Sequence, residues 1–192
     1  QAVFANHDDD PRALERDRQV RGRLAGAGVA MHTSKDHVIF ERSEVLTGSG
    51  TPYGVFTPYK TAWLKRLSDF YVKAYPVAHH AAALAPLPDD AAAGVPALAE
   101  IGFEATNLHA LRLPSGPVGA QELLAAFLDE RIDRYDQTRD YPAVKGPSYL
   151  STHLRFGTVS IRQLAREAWH RVQAGSTGAQ AWLSELVWRD FY

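Results

Sequence analysis

The chain has 192 residues, 45% of them apolar and 22% charged, a globular balance with room for one large domain or two small ones. A net charge of −1 and a pI near 6.8 exclude a global field that draws in a polyanion, so any nucleic-acid contact has to come from a local patch. The absence of cysteine excludes disulfides, thiolate nucleophiles and Cys-based zinc sites; no apolar run reaches the ~20 residues of a membrane span, and no signal peptide is visible.

The first residues, QAVFANHDD, read as the middle of a strand and the last as the middle of a helix, so a piece of a longer protein is expected. Val3 to Asn6 is a short apolar run suited to a buried strand. Asp10-Pro11 pairs a good N-cap with proline at the first helical position. A helix studded with Arg and Glu then runs from Arg12 to about Leu24, ended by Gly26 and Gly28. Val29 to Thr33 and Val38 to Phe40 are β-rich. Residues 1 to 41 therefore read as strand, helix, strand, part of an α/β layer.

Residues 42 to 56 form a loop around Gly48 to Pro52, and Thr57-Pro58 opens a helix carrying Trp63, Leu64 and Leu67. From Tyr75 to about Val118 the chain is rich in Ala, Pro and Gly, with Ala runs at 81–83 and 91–93, and reads as an extended interdomain connection. The last third is helical. Leu124, Phe127, Leu128, Arg131 and Tyr135 share a helix face. Ser160 with Gln163 forms a capping box before a helix over Ile161 to Val172, and Thr177 with Gln180 forms another before the terminal helix.

That last helix carries WLSELVWRDFY, Trp182 to Tyr192. At ~100° per residue, Leu183, Leu186, Val187 and Phe191 share a broad face that Asp190 interrupts. Trp182, Glu185, Trp188, Arg189 and Tyr192 cover the rest. Two readings stand. One is a core helix with an i,i+4 Glu185–Arg189 pair. The other is a pocket wall, with aromatic planes for a flat ligand and a carboxylate and guanidinium for its polar edge.

In GPSYLSTHLRFGTVS, Ser148, Ser151, Thr158 and Ser160 cluster at turns that lead into helices. Such hydroxyls serve as caps or as phosphate ligands. Between Arg139 and Arg171 there are six basic residues (Arg139, Lys145, Arg155, Arg162, Arg166, Arg171) and two acidic ones (Asp140, Glu167). This excess is a solvated face or a patch for backbone phosphates. His7-Asp8-Asp9-Asp10 and His79-His80 are adjacent residues that converge poorly on one ion, so no metal site is expected. No GxGxxG or GxxxxGK[ST] occurs, so the α/β part shows no dinucleotide or P-loop fingerprint.

Taken together, YGVFTPYKTAWLKRL (Tyr53 to Leu67), YDQTRDYPAVKGPSYLSTHLRFGTVSIRQL (Tyr135 to Leu164) and WLSELVWRDFY resemble the photolyase/cryptochrome family. The likeness is greatest to bacterial cyclobutane pyrimidine dimer photolyases and runs in order from NHDDDP to the last residue. It implies an N-terminal Rossmann-like α/β domain whose remainder is residues 1–70, a linker over 71–118, and from 119 to 192 the start of an all-α FAD-binding domain. It implies light-driven electron transfer from reduced FAD to a dimer in UV-damaged DNA, by a monomeric enzyme of the bacterial cytosol. The piece in hand is expected to be inactive by itself.

Position by position, the resemblance implies FAD contacts at Tyr135, Ser148, Tyr149, Leu150, Ser151, Trp182, Glu185 and Arg189. Pro147 stands where the family has Thr. Arg139, Glu185 and Trp188 are implied to contact DNA. Trp188 stacks on the flipped thymines, and Glu185 binds a thymine edge and gives a hydrogen bond or proton to the dimer radical anion. Asn6 and Asp10 fall where members carrying a folate (methenyltetrahydrofolate) or other antenna chromophore hold it, although that family position is commonly Glu. A cryptochrome-type photoreceptor without repair activity is the alternative; Glu185 favours repair, because many signalling members lack a carboxylate there.

Overall fold

The computed structural model describes residues 1–86 and 94–192, so the Ala run at 91–93 lies outside the described residues. Strands β1 (Ala2–Asn6) and β2 (Ala30–Ser34) pair in parallel, in register from Ala2–Ala30 to Asn6–Ser34. A parallel pair needs a long crossover, and α1 (Pro11–Gly26) supplies it. Asp10 caps α1 by accepting the Arg12 N–H at 2.8 Å, with Pro11 in the first turn. Strand β1 is not buried as expected: Phe4 is 77% exposed and stacks on the His32 ring. Two strands and one helix leave its apolar side chains without a second layer among the described residues.

Val38 to Phe40 is not a strand. It is a buried bend whose apolar side chains sit in the core, and its N–H groups serve a side chain, described below, in place of a ladder. Helix α2 (Phe56–Arg66) begins one residue before Thr57, with Val55 at the N-cap and no side-chain cap. Pro58 fits this start because first-turn N–H groups have no partner in the helix. Trp63 is fully buried; Leu64 faces solvent. A short α3 (Asp69–Val72) follows.

The described part of the connection is mostly exposed and forms 3₁₀ turns at Val77–Ala83, Leu98–Ile101 and Leu108–Leu111 rather than an extended run. Helix α4 (Gly116–Glu130) starts before Val118. It ends at Glu130, so the stripe from Leu124 to Tyr135 is not one helix. Ile132–Arg134 is a 3₁₀ turn and α5 (Tyr135–Thr138) follows. The break is tertiary, because Gly178 packs directly on the carbonyls of Ile132 and Asp133.

Helices α6 (Ser151–Arg155), α7 (Ile161–Gln173) and α8 (Thr177–Phe191) complete the chain. Ser160 caps α7, but Gln163 exchanges hydrogen bonds with Gln121 instead of closing a capping box. Ser176, not Thr177, caps α8 by accepting the Ala179 N–H. One continuous core links Ile39, Phe40 and Trp63 to Phe127, Leu164 and Leu183. Arg162 leaves the expected basic face. It is buried, bound to the Asp36 carboxylate and to the carbonyls of Lys35 and Asp36. Among the described residues no helix is long and apolar enough to cross a membrane.

Candidate functional site

Helix α8 organises the site because its sides do different work. Toward the core, Trp182, Leu183, Leu186 and Val187 are buried. Trp182 packs on Phe127 at 4.7 Å between ring centroids, and Phe127 meets the edge of Tyr135 at 5.9 Å. This aromatic column leads outward to a polar pair. Arg139, just past α5, lies over the Tyr135 ring at 5.6 Å and donates through Nη1 to Glu185 Oε1 at 2.5 Å. That hydrogen bond raises the Arg139 proton affinity, and burial, then the Glu185 charge, raises that of the Tyr135 phenol. Tyr135, Arg139 and Glu185, implied separately by the sequence, thus meet on one wall. The Glu185–Arg189 pair does not form.

Trp188 and Arg189 belong to other surroundings. Trp188 stacks on Phe56 at 3.5 Å and 7°, with Tyr192 stacked at 5.4 Å. Phe56 gave no signal in the sequence as a partner. Arg189 donates to the His37 carbonyl at 2.5 Å and lies 3.2 Å from both ring nitrogens of His37. Burial, then the Arg189 charge, lowers the His37 proton affinity. Asp190, which interrupts the apolar face, is a buried acceptor for the N–H groups of Ile39, Phe40 and Trp63.

The Ser148–Ser151 turn is a separate feature. Tyr149 holds a left-handed backbone (φ 60°) with a half-exposed ring, while Leu150 is buried. Tyr149 and Ser151 line a cavity of about 470 Å³ with Leu113, Leu123 and Phe156. The Ser148 and Ser151 hydroxyls have no hydrogen-bond partner among the described residues, whereas Thr158 bonds His153 and Ser160 caps α7. Two uncommitted hydroxyls beside an aromatic ring fit a phosphate-bearing, flat cofactor.

In the α/β part, Asn6 donates to Asp36 at 3.0 Å, and Asp10 is occupied as a cap. His7 places Nδ1 on Glu41 and Nε2 on Thr33 Oγ1. The three aspartates have separate partners: Asp8 accepts the Asp10 N–H, Asp9 pairs with Arg42 at 2.7 Å, and Asp10 caps α1.

Residues 1–84 match the family profile of DNA photolyase. A deoxyribodipyrimidine photo-lyase of Vibrio cholerae is 34% identical over 99% of this chain and 40% of its own length. One of Synechococcus is 31% identical over 100% of this chain and 41% of its own. The chain belongs to the DNA photolyase family. A third deoxyribodipyrimidine photo-lyase, of Escherichia coli K12, is 34% identical over 93% of this chain and 37% of its own length. The chain therefore spans about two fifths of the length of these curated relatives. A solved bacterial class III photolyase from Agrobacterium tumefaciens superposes with a TM-score of 0.78 at 23% identity, over 99% of this chain and 39% of that one. That likeness shows the fold, an α/β portion running into a helical one.

Proposed function

We propose that this chain is part of a light-driven DNA-repair enzyme that splits cyclobutane pyrimidine dimers. The observation that carries the reading is the meeting of Tyr135, Arg139 and Glu185 on one wall, in a chain whose relatives are named deoxyribodipyrimidine photo-lyases. In this reading residues 1–70 belong to the α/β domain, 71–118 connect, and 119–192 begin the helical domain.

A dimer stacked inside duplex DNA cannot reach a buried cofactor, so it is flipped out, at lower cost than an intact pair. Arg139 holds a backbone phosphate and Glu185 accepts from the base edge. Trp188 offers an indole plane to the flipped bases. Phe56 fixes one side of it, stacked at 3.5 Å. The free hydroxyls of Ser148 and Ser151, with Tyr149 and Leu150, hold the phosphates of FAD, while Tyr135, Trp182, Glu185 and Arg189 border its flavin. FAD would supply the light-driven electron, and the protein supplies position and water exclusion.

The test is flavin absorbance of the full-length protein together with dimer reversal in blue light and in darkness. Stoichiometric FAD and light-dependent reversal are expected. A protein that binds FAD and never reverses dimers would be the photoreceptor flavoprotein instead. Trp188→Ala is expected to weaken damaged-DNA binding by roughly 1–3 kcal/mol, the scale of one stacking contact.

A further inference from the structure

The two polar groups of the wall consume one another. Arg139 gives Nη1 to Glu185, and its Nε faces Asp140 Oδ1 at 3.4 Å. One cation therefore sits between two carboxylates, and the three groups together carry a formal charge of −1. A phosphate approaching this spot meets net negative charge, not a free guanidinium. The side chains of Arg139 and Glu185 are 33% and 36% exposed. An ion pair this open to water is weak and can be exchanged.

We propose that Arg139 and Glu185 form an exchange latch, in which a DNA phosphate takes Arg139 from Glu185 and the released carboxylate hydrogen-bonds the flipped base. The latch rests on the reading of this wall as the DNA-facing site. Holding the backbone and reading the base then become one linked event. While latched, Glu185 has one oxygen committed to Arg139; released, both oxygens can accept from a base edge. Undamaged DNA offers the phosphate but no flipped base, so it opens the pair and leaves the carboxylate uncompensated. The latch thus penalises undamaged DNA and favours the dimer. The Tyr135 ring keeps the guanidinium in place in both states, since its attraction for the cation needs no carboxylate.

The experiment measures binding of the full-length, FAD-loaded protein to a duplex with one thymine dimer and to the same duplex undamaged, across a salt series. Glu185→Gln keeps the side-chain shape and removes its charge. The latch predicts that this variant binds undamaged DNA roughly two- to fivefold tighter, the range of an exposed ion pair. Its preference for the dimer falls, while its salt slope keeps the wild-type number of phosphate contacts, because Arg139 meets the phosphate in both proteins. Adding Arg139→Gln abolishes the gain. Undamaged-DNA affinity that stays level or drops in Glu185→Gln overturns the latch, as does a gain that survives Arg139→Gln. A wild-type protein with no preference for the dimer overturns the repair reading instead, and the Arg139-dependent gain still decides the latch.

Discussion

A single oxygen of Asp190, Oδ2, accepts from the backbone N–H groups of Ile39 and Phe40, both at 3.1 Å, and from the Trp63 indole N–H at 2.9 Å. The carboxylate of α8 thereby takes the place of a sheet ladder for the 38–40 bend and ties α2 to both. Asp190→Ala leaves three donors without a partner, and each isolated buried donor costs about 1–3 kcal/mol. Urea unfolding of the chain is expected to show a loss of about 4 kcal/mol. A loss under about 1 kcal/mol would mean that solvent replaces the carboxylate.

Burial pushes the Asp190 carboxyl from 3.8 up to about 6, against the opposing pull of its three donors and of Arg189. The folded chain therefore holds this proton more tightly than the unfolded one. The contribution to stability is full below pH 3.8 and is lost as pH rises to about 6, about 3 kcal/mol in all. His37, whose proton affinity is lowered, works the other way, since the unfolded chain takes its proton first as pH falls below 6.5. Asp190→Asn isolates the carboxyl. The difference in unfolding free energy between wild type and this variant should slope between pH 4 and 6 and be flat from pH 7 to 8. A flat difference throughout would show that the Asp190 carboxyl titrates in the folded chain as it does in the unfolded one.

The sequence made the large apolar pattern legible and left the polar wiring hidden. Asp10-Pro11, the Ser160 cap and the buried side of α8 could be read because each depends on local spacing. Arg162 could not, since its burial depends on Asp36, which lies far away in the chain. Asp190 did carry a signal, the one charge on an apolar stripe. Two of its three donors, however, are backbone N–H groups, which every non-proline residue has. Val38 to Phe40 has a strand's composition, yet its N–H groups were claimed by a side chain. The wall of Tyr135, Arg139 and Glu185 was legible only through family resemblance, because the residues come from two elements that tertiary packing brings together.

Gly178 marks where that packing is tightest. A Cβ there would lie 2.6 Å from the Asp133 carbonyl carbon and 2.7 Å from its oxygen, both backbone atoms that cannot swing aside. Gly178→Ala should therefore destabilise the chain by roughly 1–3 kcal/mol, although alanine is the better helix former. The shift would also move α8 relative to α5, and with it the Arg139–Glu185 contact. Gly22, within α1, is the control, because nothing lies within 4 Å of its would-be Cβ. Gly22→Ala should raise stability by about 0.5–1 kcal/mol. Equal responses at the two sites in thermal unfolding would contradict the close approach.

Arg131 is the one buried side chain whose charge has no counterpart among the described residues. It is 7% exposed, none of its three guanidinium nitrogens has a hydrogen-bond partner, and its nearest aromatic neighbour is the Phe127 ring at 5.7 Å. A buried cation without a partner opposes folding, and a cation–π contact offsets only part of that cost. Arg131→Met keeps most of the volume and removes the charge. It should raise the unfolding free energy by about 1–3 kcal/mol, the gain seen when buried charge gives way to well-packed apolar groups. Arg131→Ala removes the same charge but leaves a void, so it should fall below the methionine variant by about 2–5 kcal/mol. The decisive comparison is the methionine variant against wild type in urea. A lower midpoint for Arg131→Met would show that the guanidinium is held by an acceptor, in which case its burial next to the aromatic column under Glu185 contributes to the wall.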